Sequence, residues 1–205
     1  MFSPITVRSR LCHAVLALLV LAGLGIEYAV ILAAHPGAIV SATVRYLSFF
    51  TILSNMLAGI ASIGIVLGLR WAARPGLRAA ITVYILVVAL IFQLLLVGLV
   101  HLSPLGWWGN MLVHELVPAG WIACWLSFRP HGHIDRNAPV RWLIFPTLYG
   151  LWTLLHGVLS GFYPYPFLDV AKFGGLAVTR NMLVVALVFA GLGYAARWLD
   201  SGLAR

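Results

Sequence analysis

The chain has 205 residues, of which 62% are hydrophobic and 9% charged, with a mean hydropathy of +1.02 and a formal net charge of +8. A water-soluble domain carries about a quarter of its residues charged, and a disordered chain has far less apolar side chain, so both classes are excluded. The basic excess alone would fit a polyanion, but its distribution along the chain reads as membrane topology and excludes nucleic acid as a partner.

A bilayer core about 30 Å thick needs roughly 20 consecutive apolar residues. Six such runs follow in order, at residues 11–34, 46–68, 79–101, 110–128, 141–162 and 176–199. The first follows Arg8 and Arg10 as a secretion signal would. It runs roughly 24 residues to Pro36, beyond the 7 to 15 of a signal core, and is read as a span. Short segments with breakers separate the runs, such as His35-Pro36-Gly37, Arg74-Pro75-Gly76 and Tyr163-Pro164-Tyr165-Pro166. The expected architecture is all-α, a single polytopic bundle of six transmembrane helices over residues 1–205, with no internal repeat. Ten Lys and Arg flank one side of these spans and three, Arg45, Lys172 and Arg180, the other. Both termini are therefore expected in the cytoplasm. Cys12 and Cys124 fall at reducing cytoplasmic helix ends, where no structural disulfide is expected.

Polar side chains inside a membrane are costly and usually functional. The outer halves of the spans hold Glu27, Thr51, Asn55, Gln93, His101, Asn110, His114, Glu115, His156, Arg180 and Asn181, whereas stretches such as Leu57–Leu67 and Leu183–Leu192 are nearly blank. At 100° per residue, Ser48, Thr51, Asn55, Gly59 and Ser62 share an arc of roughly 80° on span two. Span four stacks Asn110, His114, Pro118, Trp121 and Trp125, and span five Trp142, Tyr149, Thr153, His156, Ser160 and Tyr163. These stripes predict an outward-side polar cavity between spans two, four and five; for Gly59, Ser62 and Ser160 close helix packing is the better explanation. The aromatic residues at the span ends, including Trp107, Trp108, Tyr163, Tyr165 and Phe167, read as interfacial anchors. The Tyr163–Phe167 segment also reads as a stiff lid, with Asp169 placed to pair with Arg180 or Lys172.

Thr51 and His114 lie at similar depths, roughly 6 to 8 Å from the outer ends of their spans. A hydroxyl becomes a nucleophile when a base takes its proton, and a neutral imidazole is the usual base. Spacing leaves the group that orients the imidazole open among Glu115, Asn55, Glu27 and His156.

Three segments carry a resemblance: Phe49-Phe50-Thr51-Ile52-Leu53-Ser54-Asn55, His114-Glu115-Leu116-Val117-Pro118, and Gly161 to Asp169. Together they resemble the androgen-induced-protein-like family, including its bacterial members, over nearly the whole chain. Animal members are threonine hydrolases of fatty acid esters of hydroxy fatty acids, with one Thr and one His as the essential pair. The resemblance implies that Thr51 is the nucleophile and His114 the general base, acting on a membrane lipid ester in a bacterial inner membrane. Asn55, one turn from Thr51, is placed to be an oxyanion donor. Asn110, Asn181, Arg180, Glu27, Glu115 and His156 are the supporting candidates.

Metal and cofactor readings are weaker. His101 and His114 have a haem-ligand spacing of 13, but Pro104 and Gly106 interrupt the helix between them. His114-Glu115 begins like a zinc protease motif, yet Pro118 stands where the second ligand belongs. His131-Gly132-His133 with Asp135 reads as a solvated loop. No cofactor is expected. The rival function is non-catalytic binding or transport of a lipid or small amphiphile in the same cavity.

Overall fold

The computed structural model describes residues 5–99 and 102–204, so His101 and Arg205 lie outside the described residues. All regular structure among the described residues is helical. Helix α1 (Val7–Ala34) is opened by Thr6, whose hydroxyl accepts the Ser9 N–H at 3.2 Å. Its first turn begins ahead of the expected start at residue 11.

The single second span is not a straight helix. It is α2 (Ile39–Leu47) followed by α3 (Phe50–Val66), bent by 78°. No proline or glycine marks the break. Tertiary hydrogen bonds make it instead: the Tyr149 hydroxyl donates to the Ser48 carbonyl at 2.8 Å, taking the acceptor that a continuous helix would offer to Ile52. The Ser48 hydroxyl donates to the Val44 carbonyl at 2.7 Å and accepts from the Trp152 indole at 3.2 Å.

Helix α4 (Pro75–Ile91) starts with proline in its first turn, where no N–H is needed, and runs into a π turn at Phe92–Leu96. Helix α5 (Pro104–Met111), a second π turn (Leu112–Leu116) and α6 (Val117–Ser127) follow one another without a gap. After the short α7 (Ala138–Trp142) comes α8 (Ile144–Ser160), which ends at Gly161 in the left-handed region (φ 72°). A 3₁₀ turn (Pro166–Leu168) leads into α9 (Val170–Leu203), interrupted at Gly174.

By length and composition, four helical segments can cross a membrane: Val7–Ala34, Pro75–Leu96, Ala138–Ser160 and Val170–Leu203. The bent α2–α3 pair makes a fifth if it is one span. The expected fourth span is helical but is not among them, because Asn110, His114 and Glu115 dilute its apolar run.

Helix α4 lies in the middle, packed against α3, α6, α7 and α9. One core cluster is aromatic, with Phe50 against Tyr149, Phe189 and Tyr84 at centroid separations of 5.1, 5.5 and 6.4 Å. A second joins α1, α3, α4 and α6 through Val20, Ala58, Ile85 and Trp121. Helices α1 and α3 approach closely at Gly59, where a Cβ would meet Val20 Cγ1 at 2.8 Å. Trp121 donates to the Thr82 hydroxyl at 3.1 Å, so its place in the span-four stripe is explained by packing. The perimeter is aliphatic, with Leu18, Leu21, Val158, Leu159, Leu176 and Leu187 exposed, a surface suited to hydrocarbon.

The loop expected to be solvated is only partly so. His131 and Asp200 are both buried and pair at 3.2 Å, while the Gly132 N–H donates to the second Asp200 oxygen at 2.8 Å. The more exposed Asp135 accepts the Asn137 N–H and binds the Arg141 guanidinium, which in that order hold its carboxyl below the usual range. No group of three or more metal-ligating side chains comes together among the described residues.

Candidate active site

The bend after Ser48 places Thr51 in the first turn of α3. No side chain of the preceding residue caps this helix; Phe49 is extended and apolar. The early N–H groups of a helix have no partner within it, and the Thr51 N–H donates instead to the Tyr165 hydroxyl at 3.3 Å. The segment between α8 and α9 thus supplies the cap. Gly157 leaves room for it, since a Cβ there would overlap the Tyr163 ring.

The Thr51 Oγ1 lies 3.2 Å from His114 Nε2 and 3.3 Å from the Tyr165 hydroxyl. Proton positions follow from the partners. His114 Nδ1 is 3.1 Å from the Asn110 carbonyl, which can only accept, so Nδ1 carries the proton and Nε2 is the free base. Thr51 O–H therefore donates to Nε2. The Tyr165 hydroxyl, having accepted the Thr51 N–H, directs its own proton to Thr51 Oγ1. The chain of donors runs Tyr165 to Thr51 to His114 to the Asn110 carbonyl.

His114 sits in the second π turn and Phe92 opens the first. Their rings stack with centroids 4.1 Å apart and an interplanar angle of 22°. Widened turns of this kind recur at functional sites because they re-aim side chains within a helix. Here the two turns face one another, and the stack together with the Nδ1 bond holds the imidazole plane.

The group orienting His114 is thus a backbone carbonyl, and none of the four side chains weighed from spacing. Glu115 is exposed and accepts from Gln93 Nε2 at 3.2 Å. Asn55 is fully buried and gives its amide protons to the carbonyls of Thr51 (2.8 Å) and Val113 (3.1 Å), bracing α3 against the π turn. With both protons used, it cannot be the oxyanion donor. His156 stacks on Trp152 and lies 3.3 Å from the Ser48 hydroxyl, at the helix break. Glu27 packs beside Gly109, where an added Cβ would meet its Oε1 at 2.6 Å. Asn181 donates to the Phe167 carbonyl at 2.8 Å and ties α9 to the segment that precedes it. Arg180 is exposed, and no ion pair among the described residues includes it. Asp169 pairs with neither expected cation; its carboxylate accepts the Lys172 backbone N–H as the α9 cap.

Thr51 and Tyr165 also line a cavity of about 420 Å³ bordered by α3, α4, α8, α9 and the chain between α8 and α9. Its walls are almost wholly apolar, with Val88, Ile91, Leu154, Met182, Ala186 and Phe189 among them. Thr51 is the point where the polar cluster touches this hydrocarbon space. Tyr165 is 7% exposed, so it is a buried member of the cluster rather than the interfacial anchor its position among aromatics and prolines indicated.

No family model, curated protein or solved structure matches the chain.

Proposed function

We propose that this chain is a membrane-embedded lipid-ester hydrolase with Thr51 as nucleophile and His114 as general base, as the resemblance to the androgen-induced-protein-like family implies. In this reading all six helical segments cross the bilayer, both termini are cytoplasmic, and the Thr51 end faces the outer leaflet. The observation that carries it is the 3.2 Å approach of Thr51 Oγ1 to an imidazole nitrogen left unprotonated by its own hydrogen bonding, on the wall of an apolar cavity.

The acyl chain of the ester fills the cavity between α8 and α9 and presents its carbonyl to Thr51. As Thr51 Oγ attacks, its proton passes to His114 Nε2. The carbonyl oxygen takes on negative charge and receives the Thr51 N–H, released from the Tyr165 oxygen, and the Tyr165 O–H, released from Thr51 Oγ1. The imidazolium then protonates the leaving alkoxide. Water, deprotonated by the same nitrogen, releases the fatty acid and restores Thr51.

The cavity alone also favours binding of a lipid without chemistry, and one experiment separates the two. The purified protein is treated with a lipid-tailed fluorophosphonate and the adduct is located by peptide mass spectrometry. An adduct on Thr51 that is lost in His114→Ala supports the hydrolase. A folded, accessible protein that forms none moves the reading to lipid binding or transport.

A further inference from the structure

At the end of the bundle opposite Thr51, some 14 residues or roughly 21 Å further along α3, a second cavity of about 320 Å³ lies between the start of α1, the end of α3 and the chain leaving α6. Its character is different. Thr6, Ser9, Arg78, Ser127 and Arg129 contribute to its walls, and no acidic residue does.

Arg78 is 3% exposed. A guanidinium buried to this extent is costly unless its charge and its donors are met. Among the described residues no carboxylate lies within 4 Å of it: the side chains that approach a carboxylate there are His131, at Asp200, and Arg141, at Asp135. Asp200, whose field reaches Arg78, is committed to His131 and the Gly132 N–H. Among the described residues only one guanidinium nitrogen, Nη2, is bonded, to the carbonyls of Phe128 (2.7 Å) and Cys124 (3.4 Å) at the end of α6. Capping α6 therefore uses one arm of the fork. Nε and Nη1 remain, and both Arg78 and Arg129 line the cavity. The positive end of α1, a 28-residue helix, opens on the same space at Thr6.

We propose that this cavity binds the phosphate group of an anionic ligand, held by the free edge of Arg78 and by Arg129, with the Ser9 and Ser127 hydroxyls completing the shell. A planar guanidinium edge matches two phosphate oxygens, and a basic pocket between membrane helices at their arginine-rich end is the usual seat of an anionic headgroup. The phosphate belongs either to a phospholipid headgroup or to a soluble phosphate compound. The site is separate from Thr51 and does not depend on the hydrolase reading.

The test uses the full chain in detergent, with thermal stability and native mass spectrometry as readouts. The probes are inorganic phosphate, phosphatidylglycerol, and diacylglycerol as the phosphate-free lipid. Stabilisation by phosphatidylglycerol alone identifies a headgroup site, and saturable stabilisation by inorganic phosphate a soluble ligand. Arg129→Gln, at an exposed residue, is expected to fold as wild type and weaken the effective probe by about tenfold. Arg78→Gln keeps an amide for the α6 carbonyls and is expected to weaken it by about a hundredfold. No response to either phosphate probe, a response equal to that of diacylglycerol, or unchanged affinity in a folded Arg129→Gln overturns the proposal.

Discussion

Replacing Tyr165 by Phe removes one oxygen and leaves the ring. That ring packs against Phe167, Phe49 and Tyr149 at centroid separations of 5.6, 6.1 and 6.4 Å, contacts that phenylalanine keeps. The folded state loses the bonds to the Thr51 N–H and Oγ1, both at 3.3 Å and both between neutral groups. The stability cost is therefore about 1 to 2 kcal/mol, the price of one buried N–H left without its acceptor. In the proposed reaction catalysis loses more, because the same hydroxyl would face an oxyanion in the transition state. Deleting one such donor costs about a hundredfold or more in kcat, roughly 3 kcal/mol. Hydrolysis of a chromogenic long-chain ester by detergent-solubilised protein would show kcat reduced by about that factor, with KM little changed because the cavity wall is preserved. Melting curves on the same samples separate the two effects. Wild-type kcat in Tyr165→Phe, or a loss of rate that follows loss of folded protein, would refute the assignment.

Thr51→Ala is expected to abolish turnover and fluorophosphonate labelling while retaining binding of a fluorescent fatty acid, measured by equilibrium titration; loss of that binding would count against a purely chemical role. Ala186→Phe adds a ring inside the apolar cavity and should shift preference toward shorter acyl chains, at about 0.8 kcal/mol for each methylene excluded, read from kcat/KM across a chain-length series. Gly59→Ala places a methyl against Val20 at 2.8 Å on a tightly packed helix pair and should lower stability by about 1 to 3 kcal/mol, seen as a fall in Tm. Asp200→Ala leaves buried His131 and the Gly132 N–H without their acceptor and should cost about 3 kcal/mol by the same measure, with ester hydrolysis intact in the folded fraction.

Periodicity and composition were sufficient for the helices, because long apolar runs punctuated by proline and glycine have few alternatives. Thr51 and His114 were legible for a related reason: polar groups are conspicuous where hydrocarbon is the norm. The break between α2 and α3 was not, since residues 46–50 contain no breaker and the bend depends on hydroxyl and indole donors from α8, a hundred residues away in the chain. The two π turns left no local signature either, and the Phe92–His114 stack depends on both. Tyr165 sits among aromatics and prolines, where an anchor and a buried donor have the same sequence appearance. His131 was hidden by its setting in a polar loop, because its partner Asp200 comes from the far end of the chain.

The carbonyl of Asn110 stands where many hydrolytic sites put a carboxylate. In a bilayer, a carboxylate would leave a permanent ion among helices whose other surfaces suit hydrocarbon, and that ion would demand water or a counter-charge in every state of the protein. With a hydroxyl, a phenol, an imidazole and a peptide group, the resting cluster carries no formal charge at all. The proposed enzyme can therefore admit an oily ligand to a dry site and still hold it between reactions. Charge would arise only as the threonine gives up its proton, as a transient pair formed on adjacent groups and discharged before the product leaves.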